Sequence, residues 1–558
     1  MKISGKRIGL IVGLLIFSAL IFLPTPEGLS HQAMRAAAVA LLMTSLWVSE
    51  AIPIAATALL PLALFPLLGI LDAETTAANY GHNYVLMLLA GFIISKAIEV
   101  HHLHRRIALS IMNLIGSSRR MLLFSFMVAS ALLSMWIANV AVALLMLPIA
   151  MAIISRENEA SGHNKDFGIA LMLAIAYACS IGGTGTLIGT PPNMVFAGMV
   201  QKLYPDAPEI PFFQWMLLGV PLIVIFLPLI WVYLVKYFKI EGKFEGGKEI
   251  VEKELKGLGT MKPAEKMVLG IFIFTALAWV FRRDIVVDDF VLPGWASLLG
   301  VSDWVHDSTV AVFSCLLLFF LPDKAESGKR LITWKQAEAI PWGTVMIVGG
   351  GYAIAESFGT TGLAAWLGTE LQFIANWSPL LVLLSVITLM TFLTEINSNT
   401  ATANIFLPVL ATMAVSSGTH PYMLMIPATI ACSFAFMLPS GTGTNTVIFG
   451  SELVTIPQMA RAGFWLNLIS ILLLTIVLYL VAVPVFDMGG GGARMGEMRW
   501  LVRTQGHDQM VRETRNHKHR ETQSQKRMAA FVMVSCLRKA SQKQFVGRLS
   551  LKAVVFGK

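Results

Sequence analysis

Long apolar runs alternate with short polar stretches along most of the chain. Examples are IGLIVGLLIFSALIFL, MLLGVPLIVIFLPLIWVYLV and FWLNLISILLLTIVLYLVAVPVF. Many of these runs reach about 18 to 25 residues, which is long enough for a helix to cross a bilayer. The pattern predicts an all-α polytopic membrane protein, and we expect the first run, which begins at Ile8, to be a retained membrane span.

Composition agrees with a membrane protein and argues against an enzyme. The 558 residues are 56% hydrophobic and 13% charged, whereas soluble domains carry about a quarter charged residues. The sequence contains no nucleophile elbow, no phosphate-binding glycine loop with its lysine, and no zinc-spaced ligands. We therefore expect a membrane protein without enzymatic activity.

The charges divide the chain into four segments. Residues 488–558 contain fifteen basic and four acidic residues, so the net charge of +9 comes from this tail. We expect the tail to be disordered and dispensable, without a nucleic-acid partner, although its basic residues would also suit nucleic acid or an anionic lipid surface. A lysine-rich stretch at 236–266 separates two membrane halves, 1–235 and 267–487. The lysines of this linker and of the N-terminus predict that both lie in the cytoplasm.

The two halves repeat each other. At an offset of 260 residues, SMWIANVAVALLMLPIA aligns with TEINSNTATANIFLPVLA, so that Asn139 matches Asn399. Further along, GGTGTLIGTPPNMVF resembles PSGTGTNTVIFGS, and Asn193 matches Asn445. Internal repeats of this kind are typical of secondary transporters, whose binding sites lie at broken helices near the middle of the membrane.

Polar clusters interrupt the apolar runs at the repeated positions. In EINSNTATANIFLPV, Asn399 and Thr400 begin a helix whose free N–H groups and positive dipole end suit an anion. The helix that ends before them presents free carbonyl groups, which suit a cation. Residues 441–445 supply a second break, and Asn139 with residues 189–193 does the same in the first half. The alternative is a kink satisfied by neighbouring Ser, Thr and Asn side chains, but two matched pairs favour a binding site.

Two other groups of residues admit more than one interpretation. Glu50 and Glu395 lie at helix edges, where each is either a proton carrier or, as we favour, a local cap or scaffold pair. The motif HHLHRR places His101, His102 and His104 together as in a metal site. Because two arginines follow them, we interpret the motif as an interfacial edge.

The combined motifs resemble the divalent anion/sodium symporters, which carry C4 dicarboxylates, citrate or sulfate. The resemblance rests on SEAIPIAATALLPLALFPLLGIL, the paired Asn motifs, GTPPN and IPWGTVMIVGGGYAIA, and it covers residues 8–486. It implies a sodium-coupled symporter of small divalent anions in the cell membrane, which is the inner membrane if the protein is bacterial. The N-terminus is expected in the cytoplasm.

The resemblance also implies an architecture. The family forms homodimers of protomers that each have a scaffold domain and a transport domain that moves as an elevator. Two inverted repeats are expected, each with a re-entrant helical hairpin, here at residues 79–95 and 340–358. Each repeat also contributes a Ser-Asn-Thr motif at a broken helix.

Site residues follow from matching the family motifs to this sequence. One implied sodium site comprises Ser134, Ala138, Asn139 and Gly189. The other comprises Thr394, Asn397, Asn399 and Gly441. The implied substrate contacts are Asn139, Val140, Thr190, Pro191, Ser398, Asn399, Thr400, Thr442 and Gly443.

Two departures from the family motifs bear on the site. The first Ser-Asn-Thr motif is Ala138-Asn139-Val140, and the second Thr-Pro-Pro-Asn motif is Thr-Gly-Thr-Asn at 442–445. Each missing hydroxyl removes a hydrogen bond of about 0.5–1.5 kcal/mol, or about 1.5–3 kcal/mol to a charged group. The predicted anion site is therefore polar in the second half and poorer in the first. An anion exchanger or proton-coupled carrier remains an alternative, followed by a channel or an oxyanion efflux protein.

Overall fold

The computed structural model describes residues 5–114, 118–161, 165–242, 247–287, 290–324, 328–373, 377–486 and 488. Helices dominate these residues, and their one sheet is the antiparallel pair β1 (Ile285–Val287) and β2 (Phe290–Leu292). The predicted helical membrane-protein class is confirmed. The basic tail predicted for residues 488–558 lies outside the described residues, apart from Met488.

The first half is built from helices of very different lengths, with short 3₁₀ turns at Asn79–Gly81 and Gly183–Gly185. Its helices are α1 (Gly5–Phe22), α2 (His31–Ser49), α3 (Ile54–Thr57), α4 (Leu60–Leu67), α5 (Ala73–Ala78), α6 (Asn83–Val100), α7 (Leu103–Leu114), α8 (Arg119–Ser134), α9 (Asn139–Ser161), α10 (Lys165–Gly182), α11 (Pro191–Leu203) and α12 (Phe212–Tyr237).

The linker and the second half continue the same helical architecture. Their helices are α13 (Gly247–Gly257), α14 (Pro263–Val280), α15 (Trp295–Leu298), α16 (Asp307–Phe320), α17 (Trp334–Ala337), α18 (Trp342–Thr361), α19 (Leu363–Glu370), α20 (Pro379–Leu393), α21 (Asn399–Ser416), α22 (Tyr422–Ala431), α23 (Gly443–Phe449), α24 (Ile456–Val477) and α25 (Val483–Val485). A π-helical segment, Leu478–Ala482, joins the last two.

Six helical segments of the described chain are long and apolar enough to cross a membrane. Shorter apolar helices such as α20 and α22 accompany them. The six segments are Ala73–Val100, Asn139–Glu159, Lys165–Gly185, Phe212–Tyr237, Pro263–Val280 and Ile456–Val485.

Small residues hold the first helix against the second. A Cβ atom placed on Gly9 would lie 2.1 Å from Cβ of Ser49, so the two helices approach as closely as glycine permits. Ser45 lies one turn away and donates a hydrogen bond to the carbonyl oxygen of Gly9 at 2.9 Å. Close packing of small residues is a usual way to join helices in lipid, where the hydrophobic effect does not drive association.

The re-entrant hairpins predicted at residues 79–95 and 340–358 are not present, and this prediction is wrong. The first range contains a 3₁₀ turn followed by α6, which continues without a break to Val100. The second range falls almost entirely within the uninterrupted α18. Both ranges had been inferred from the resemblance to the family.

The glycines of α18 serve close packing instead. A Cβ atom on Gly350 would lie 2.6 Å from the carbonyl oxygen of Ala58, and one on Gly349 would lie 2.7 Å from the ring of Tyr80. Glycine costs about 1 kcal/mol in a helix interior. Tertiary packing outweighs this cost here, because no larger side chain fits between these elements.

The turns of the helix pairs lie at the polar motifs themselves. Residues 135–138 connect α8 to α9, and residues 394–398 connect α20 to α21. In each half the next helix packs against both arms of the pair: α10 against α8 and α9, and α22 against α20 and α21. In each half a further helix then follows after a break in the helical backbone: α11 after α10 in the first half, and α23 after α22 in the second. We call each of these two pairs an interrupted helix. The same order of elements therefore occurs twice.

The charged segment predicted as a linker, 236–266, contains the helix α13. This helix packs against α7 and α9. Arg105 pairs with Glu254, and Nε of Arg106 lies 2.5 Å from Oε1 of Glu265. His101, of the histidine motif, approaches the carbonyl oxygen of Leu331 at 2.7 Å. The segment is therefore attached to α7 by ion pairs.

A buried ion cluster joins the ends of α12, α14 and α16. Arg282 is 1% exposed and contacts both Asp307 and Glu209 at 2.5 Å. The backbone N–H of Phe212 donates to the second Asp307 oxygen at 3.1 Å. Burial lowers the pKa of the adjacent His306 to about 4, so this ring is neutral near pH 7.

Candidate functional site

In the first half, three oxygen atoms converge where α8 ends and α9 begins. The hydroxyl oxygen of Ser134 lies 2.5 Å from Oδ1 of Asn139 and 2.8 Å from the carbonyl oxygen of Cys179. Both neighbours are acceptors, and the hydroxyl has one proton to donate between them. A cluster with more acceptors than protons fits a cation such as Na⁺, which broken helices bind through oxygen atoms.

The second half contains the same cluster. The hydroxyl oxygen of Thr394 lies 2.8 Å from Oδ1 of Asn399 and 2.8 Å from the carbonyl oxygen of Cys432. Thr394 and Asn399 follow Ser134 and Asn139 at the offset of 260 residues that the sequence alignment gives. The repeat predicted from sequence therefore recurs as a repeated hydrogen-bonding arrangement.

The two asparagines present their amide nitrogens in the other direction. Neither Nδ2 of Asn139 nor Nδ2 of Asn399 has a hydrogen-bond partner within the described part of the chain, and both side chains are partly exposed. Each residue is also the first residue of its helix. A helix N-terminus with a free amide donor is suited to an anion.

Each interrupted helix is held by a second, matched asparagine. Nδ2 of Asn193 donates to the carbonyl oxygens of Gly183 and Thr186 at 3.1 and 2.7 Å. In the second half, Nδ2 of Asn445 donates to two carbonyl oxygens of its own loop at 3.0 and 2.9 Å. These bonds fix the non-helical backbone, whose polar groups cannot be left unpaired at membrane depth.

The first break packs directly against Asn139. A Cβ atom on Gly183 would lie 2.8 Å from Nδ2 of Asn139, and one on Gly189 would lie 2.4 Å from the carbonyl oxygen of Gly183. Gly183 therefore approaches both Asn139 and Gly189, the glycine that the resemblance placed in the first sodium site. Any larger residue at these two glycines would displace the loop.

Glu395 distinguishes the second half from the first. Its carboxylate is buried and accepts hydrogen bonds from the backbone N–H groups of Phe436, Met437 and Leu438 at 2.7–3.1 Å. Nδ2 of Asn467 donates a further bond at 2.8 Å. The carboxylate thus caps the loop that precedes α23, which agrees with the interpretation of Glu395 as a local cap.

The first half has no such carboxylate, because Met135 occupies the matching position. There the hydroxyl of Thr186 donates to the carbonyl oxygen of Met135 at 2.5 Å. A carboxylate binds N–H donors more strongly than a neutral group does. The loop of the second half is therefore held more firmly than that of the first.

The hydroxyl groups of the predicted substrate contacts fall into two kinds. Those of Thr190, Ser398 and Thr400 make no hydrogen bond to the described residues. Thr442 instead accepts a bond from the backbone N–H of Asn445 at 3.1 Å and caps α23. The three unbonded hydroxyls are available to a ligand, whereas that of Thr442 is already used.

Asn397 makes no hydrogen bond to either oxygen cluster. It is 5% exposed, and its Nδ2 has no partner among the described residues. A side-chain amide presents nitrogen on one side and oxygen on the other, and rotation by 180° exchanges them. An unpaired buried amide costs about 1–3 kcal/mol, which a bound ion or substrate would recover.

The two halves meet at the predicted substrate contacts. A Cβ atom on Gly443 would lie 2.4 Å from Cγ2 of Val140, so the start of α23 touches the start of α9. The hydroxyls of Ser180 and Thr444 approach to 3.4 Å nearby. In the same way α11, which begins at Pro191, packs against α21. Residues from both halves therefore border one central region.

A cavity of about 370 Å³ opens beside the first motif. Ala138 and Val140 line it, and Val140 is 41% exposed. The other lining residues are Phe92, Ser95, Lys96, Glu99, His104, Ala141, Leu144, Leu145, Ala339, Ile340 and Pro341. The two positions where the family has hydroxyls therefore face open space.

Sequence reasoning did not find the backbone contributions to the clusters. The carbonyl oxygens of Cys179 and Cys432 complete them, and neither residue stood out as a candidate. A signal was present, because both cysteines occur in the tripeptide Ala-Cys-Ser shortly before a break, at 178–180 and 431–433. Carbonyl ligands are hard to predict because every residue carries one.

The transmembrane region that defines the sodium:sulfate symporter family matches residues 5–486. The chain therefore belongs to this family of membrane transporters. The predictions of the family, of a multi-pass membrane location and of a transporter rather than an enzyme are confirmed, as is sodium as the coupling ion.

Two relatives are sodium-dependent dicarboxylate transporters named SdcS. That of Staphylococcus saprophyticus is 42% identical over 494 residues, covering 87% of this chain and 93% of its own length. That of Staphylococcus aureus strain NCTC 8325 is 41% identical over 488 residues, covering 86% and 91%.

Solved structures with the same fold are more distant in sequence. Neisseria gonorrhoeae MtrF, described with a class of antimetabolite efflux pumps, has a TM-score of 0.54 at 13% identity, covering 88% of this chain and 98% of its own. The Alcanivorax borkumensis YdaH transporter has a TM-score of 0.53 at 14% identity, covering 82% and 99%. At these identities the likeness concerns the fold alone.

Proposed function

We propose that this protein is a sodium-coupled symporter of small divalent anions, with C4 dicarboxylates as the leading substrates and citrate and sulfate as the others. The observation that carries this proposal is the pair of matched clusters around Ser134–Asn139 and Thr394–Asn399. The names of the two Staphylococcus relatives support a dicarboxylate.

Each asparagine would connect the cation to the anion. A sodium ion bound to Oδ1, with the hydroxyl and carbonyl oxygens beside it, polarises the amide and orients Nδ2 toward the substrate. The anion in turn stabilises the positive charge nearby. Because coupling free energy is reciprocal, each ligand then raises the affinity for the other.

The substrate residues would come from both halves. Thr190, Ser398 and Thr400 supply unbonded hydroxyls, and the N-termini of α9 and α21 supply backbone N–H groups. Val140 and Gly443 form a wall without polar side-chain atoms. This arrangement gives an anion more hydrogen-bond donors in the second half than in the first.

We further propose that the two repeats are inverted relative to each other and that the protein is a homodimer with an elevator mechanism. The repeated order of helices and hydrogen bonds supports the repeats, and the resemblance to the family supports the rest. The lysines of the N-terminus and of 236–266 support a cytoplasmic location for both.

Uptake by purified protein in liposomes tests the coupling. We expect saturable succinate uptake driven by an inward sodium gradient, and no uptake when potassium replaces sodium. Uptake driven by a proton gradient, or only by internal dicarboxylate, would support a proton-coupled carrier or an exchanger. Flux that follows voltage without saturation would support a channel.

Restoring the missing hydroxyls is expected to tighten succinate binding. The double variant Ala138→Ser/Val140→Thr adds two hydroxyls at positions that line the cavity. Two recovered hydrogen bonds to an anion are worth on the order of 1–3 kcal/mol after desolvation, or roughly five- to hundredfold in affinity. The measurement is the succinate KM at saturating sodium.

The mirror-image change in the second half is the matched control. Ser398→Ala/Thr400→Val removes the corresponding hydroxyls and should weaken succinate binding by a similar factor. Unchanged succinate affinity in both double variants would remove these four positions from the proposed substrate site.

A further inference from the structure

Lys96 is a charged residue near the C-terminal end of an apolar helix. It lies on α6, within the candidate membrane span Ala73–Val100. Its Nζ atom is 2.7 Å from Oε1 of Glu99, and the two side chains are 22% and 42% exposed. A charge within a membrane span is costly, so it faces a polar cavity or a partner and commonly has a function.

The ion pair of Lys96 and Glu99 lines the same cavity as Ala138 and Val140. Lys96 is the one permanent cation among the described residues that border this space. His104 also borders it, but burial lowers its pKa, so the ring is neutral near pH 7. A positive charge is therefore placed beside the part of the site that lacks hydroxyls.

We propose that Lys96 forms an outer anion subsite, which binds one carboxylate of the incoming dicarboxylate beside the tip of the α8–α9 pair. This inference rests on the proposed function. Lys96 would add a charged donor on the side where Ala138 and Val140 provide none.

Glu99 gives this subsite selectivity. In the empty protein its carboxylate compensates the charge of Lys96 and reduces the cost of partial burial. An anion that binds Lys96 competes with Glu99 for the same ammonium group. A carboxylate forms short, charge-assisted hydrogen bonds with an ammonium group, whereas chloride is a weaker competitor for the same donor.

Variants of the pair separate this proposal from a structural role. Lys96→Gln should raise the succinate KM about three- to tenfold. The effect is modest because the pair is partly solvated. The maximal rate and the sodium concentration for half-saturation should remain close to wild type. Lys96→Arg should restore a KM near the wild-type value. Glu99→Gln should lower the succinate KM and make uptake more sensitive to inhibition by chloride.

Lys202→Gln is the matched control. Lys202 pairs with Glu356 at the same distance of 2.7 Å and is 20% exposed, close to the 22% of Lys96, but it does not line the cavity. Its loss should leave the succinate KM and the chloride sensitivity unchanged. All variants are compared in liposomes at equal reconstituted protein.

Opposite shifts of KM in Lys96→Gln and Glu99→Gln would support the subsite. Equal losses of maximal rate at unchanged KM in both variants would show a structural ion pair and overturn it. An unchanged KM in Lys96→Gln, with sodium-driven succinate uptake intact in the wild type, would overturn the subsite and leave the proposed function standing. Absence of sodium-driven uptake in the wild type would overturn the proposed function itself.

Discussion

Asn399→Ala is expected to abolish sodium-dependent uptake while the protein still folds. The substitution removes Oδ1, which belongs to the oxygen cluster with Thr394 and the Cys432 carbonyl, and Nδ2, which is free to bind an anion. Interactions with charged groups are worth about 1.5–3 kcal/mol each, so losing two predicts a fall on the order of 10²- to 10⁴-fold in kcat/KM. Saturable transport near the wild-type level would contradict the assignment.

Asn399→Asp separates the two roles of this side chain. The carboxylate keeps oxygen atoms for the cation but loses the N–H donor and repels the anion. A ligand that binds the folded state raises its stability with concentration. We therefore expect sodium to raise the melting temperature of Asn399→Asp but succinate to have no effect. Asn399→Ala lacks the oxygen atom too, so sodium should raise its melting temperature less than that of the wild type.

Glu395→Ala is expected to destabilise the second half and stop transport. It leaves three backbone N–H groups of residues 436–438 without their acceptor in a buried loop. An unsatisfied buried donor costs about 1–3 kcal/mol, so the combined loss is on the order of several kcal/mol. The measurement is the thermal melting temperature in detergent, together with succinate uptake.

Glu395→Gln distinguishes the cap from a proton carrier. An amide of the same shape keeps one acceptor oxygen but turns an NH₂ group toward backbone donors, so it should also lower the melting temperature. Asn467→Ala removes one donor and leaves the backbone bonds, so its loss of stability should be smaller. Wild-type stability in Glu395→Gln with altered pH dependence of uptake would instead support proton transfer.

Several features of the site followed from local sequence signals. Asn139 and Asn399 interrupt apolar runs at matched positions, and the structure places each at the start of a helix beside a hydroxyl and a carbonyl oxygen. The interruption is visible in the sequence because polar residues at membrane depth need internal partners. The offset of 260 residues between the two asparagines links the two halves in the sequence itself.

The predicted re-entrant hairpins show where the sequence was insufficient. The resemblance implied a re-entrant hairpin at residues 340–358, but the glycines at 349–351 lie in the continuous helix α18 and make room for neighbouring elements. A glycine serves equally in a turn and in a close contact between helices. Which of the two applies depends on the neighbours, and a sequence does not display these.

The sequence by itself determined the membrane class, the twofold repetition and the polar interruptions, because hydrophobic length and periodicity are local properties of the chain. Tertiary structure alone decided that the Cys179 and Cys432 carbonyls complete the oxygen clusters, that Glu395 caps a loop about forty residues away, and that Lys96 shares a cavity with Val140. These relations join residues far apart in sequence through backbone groups or packing. They arise only when folding brings the segments together.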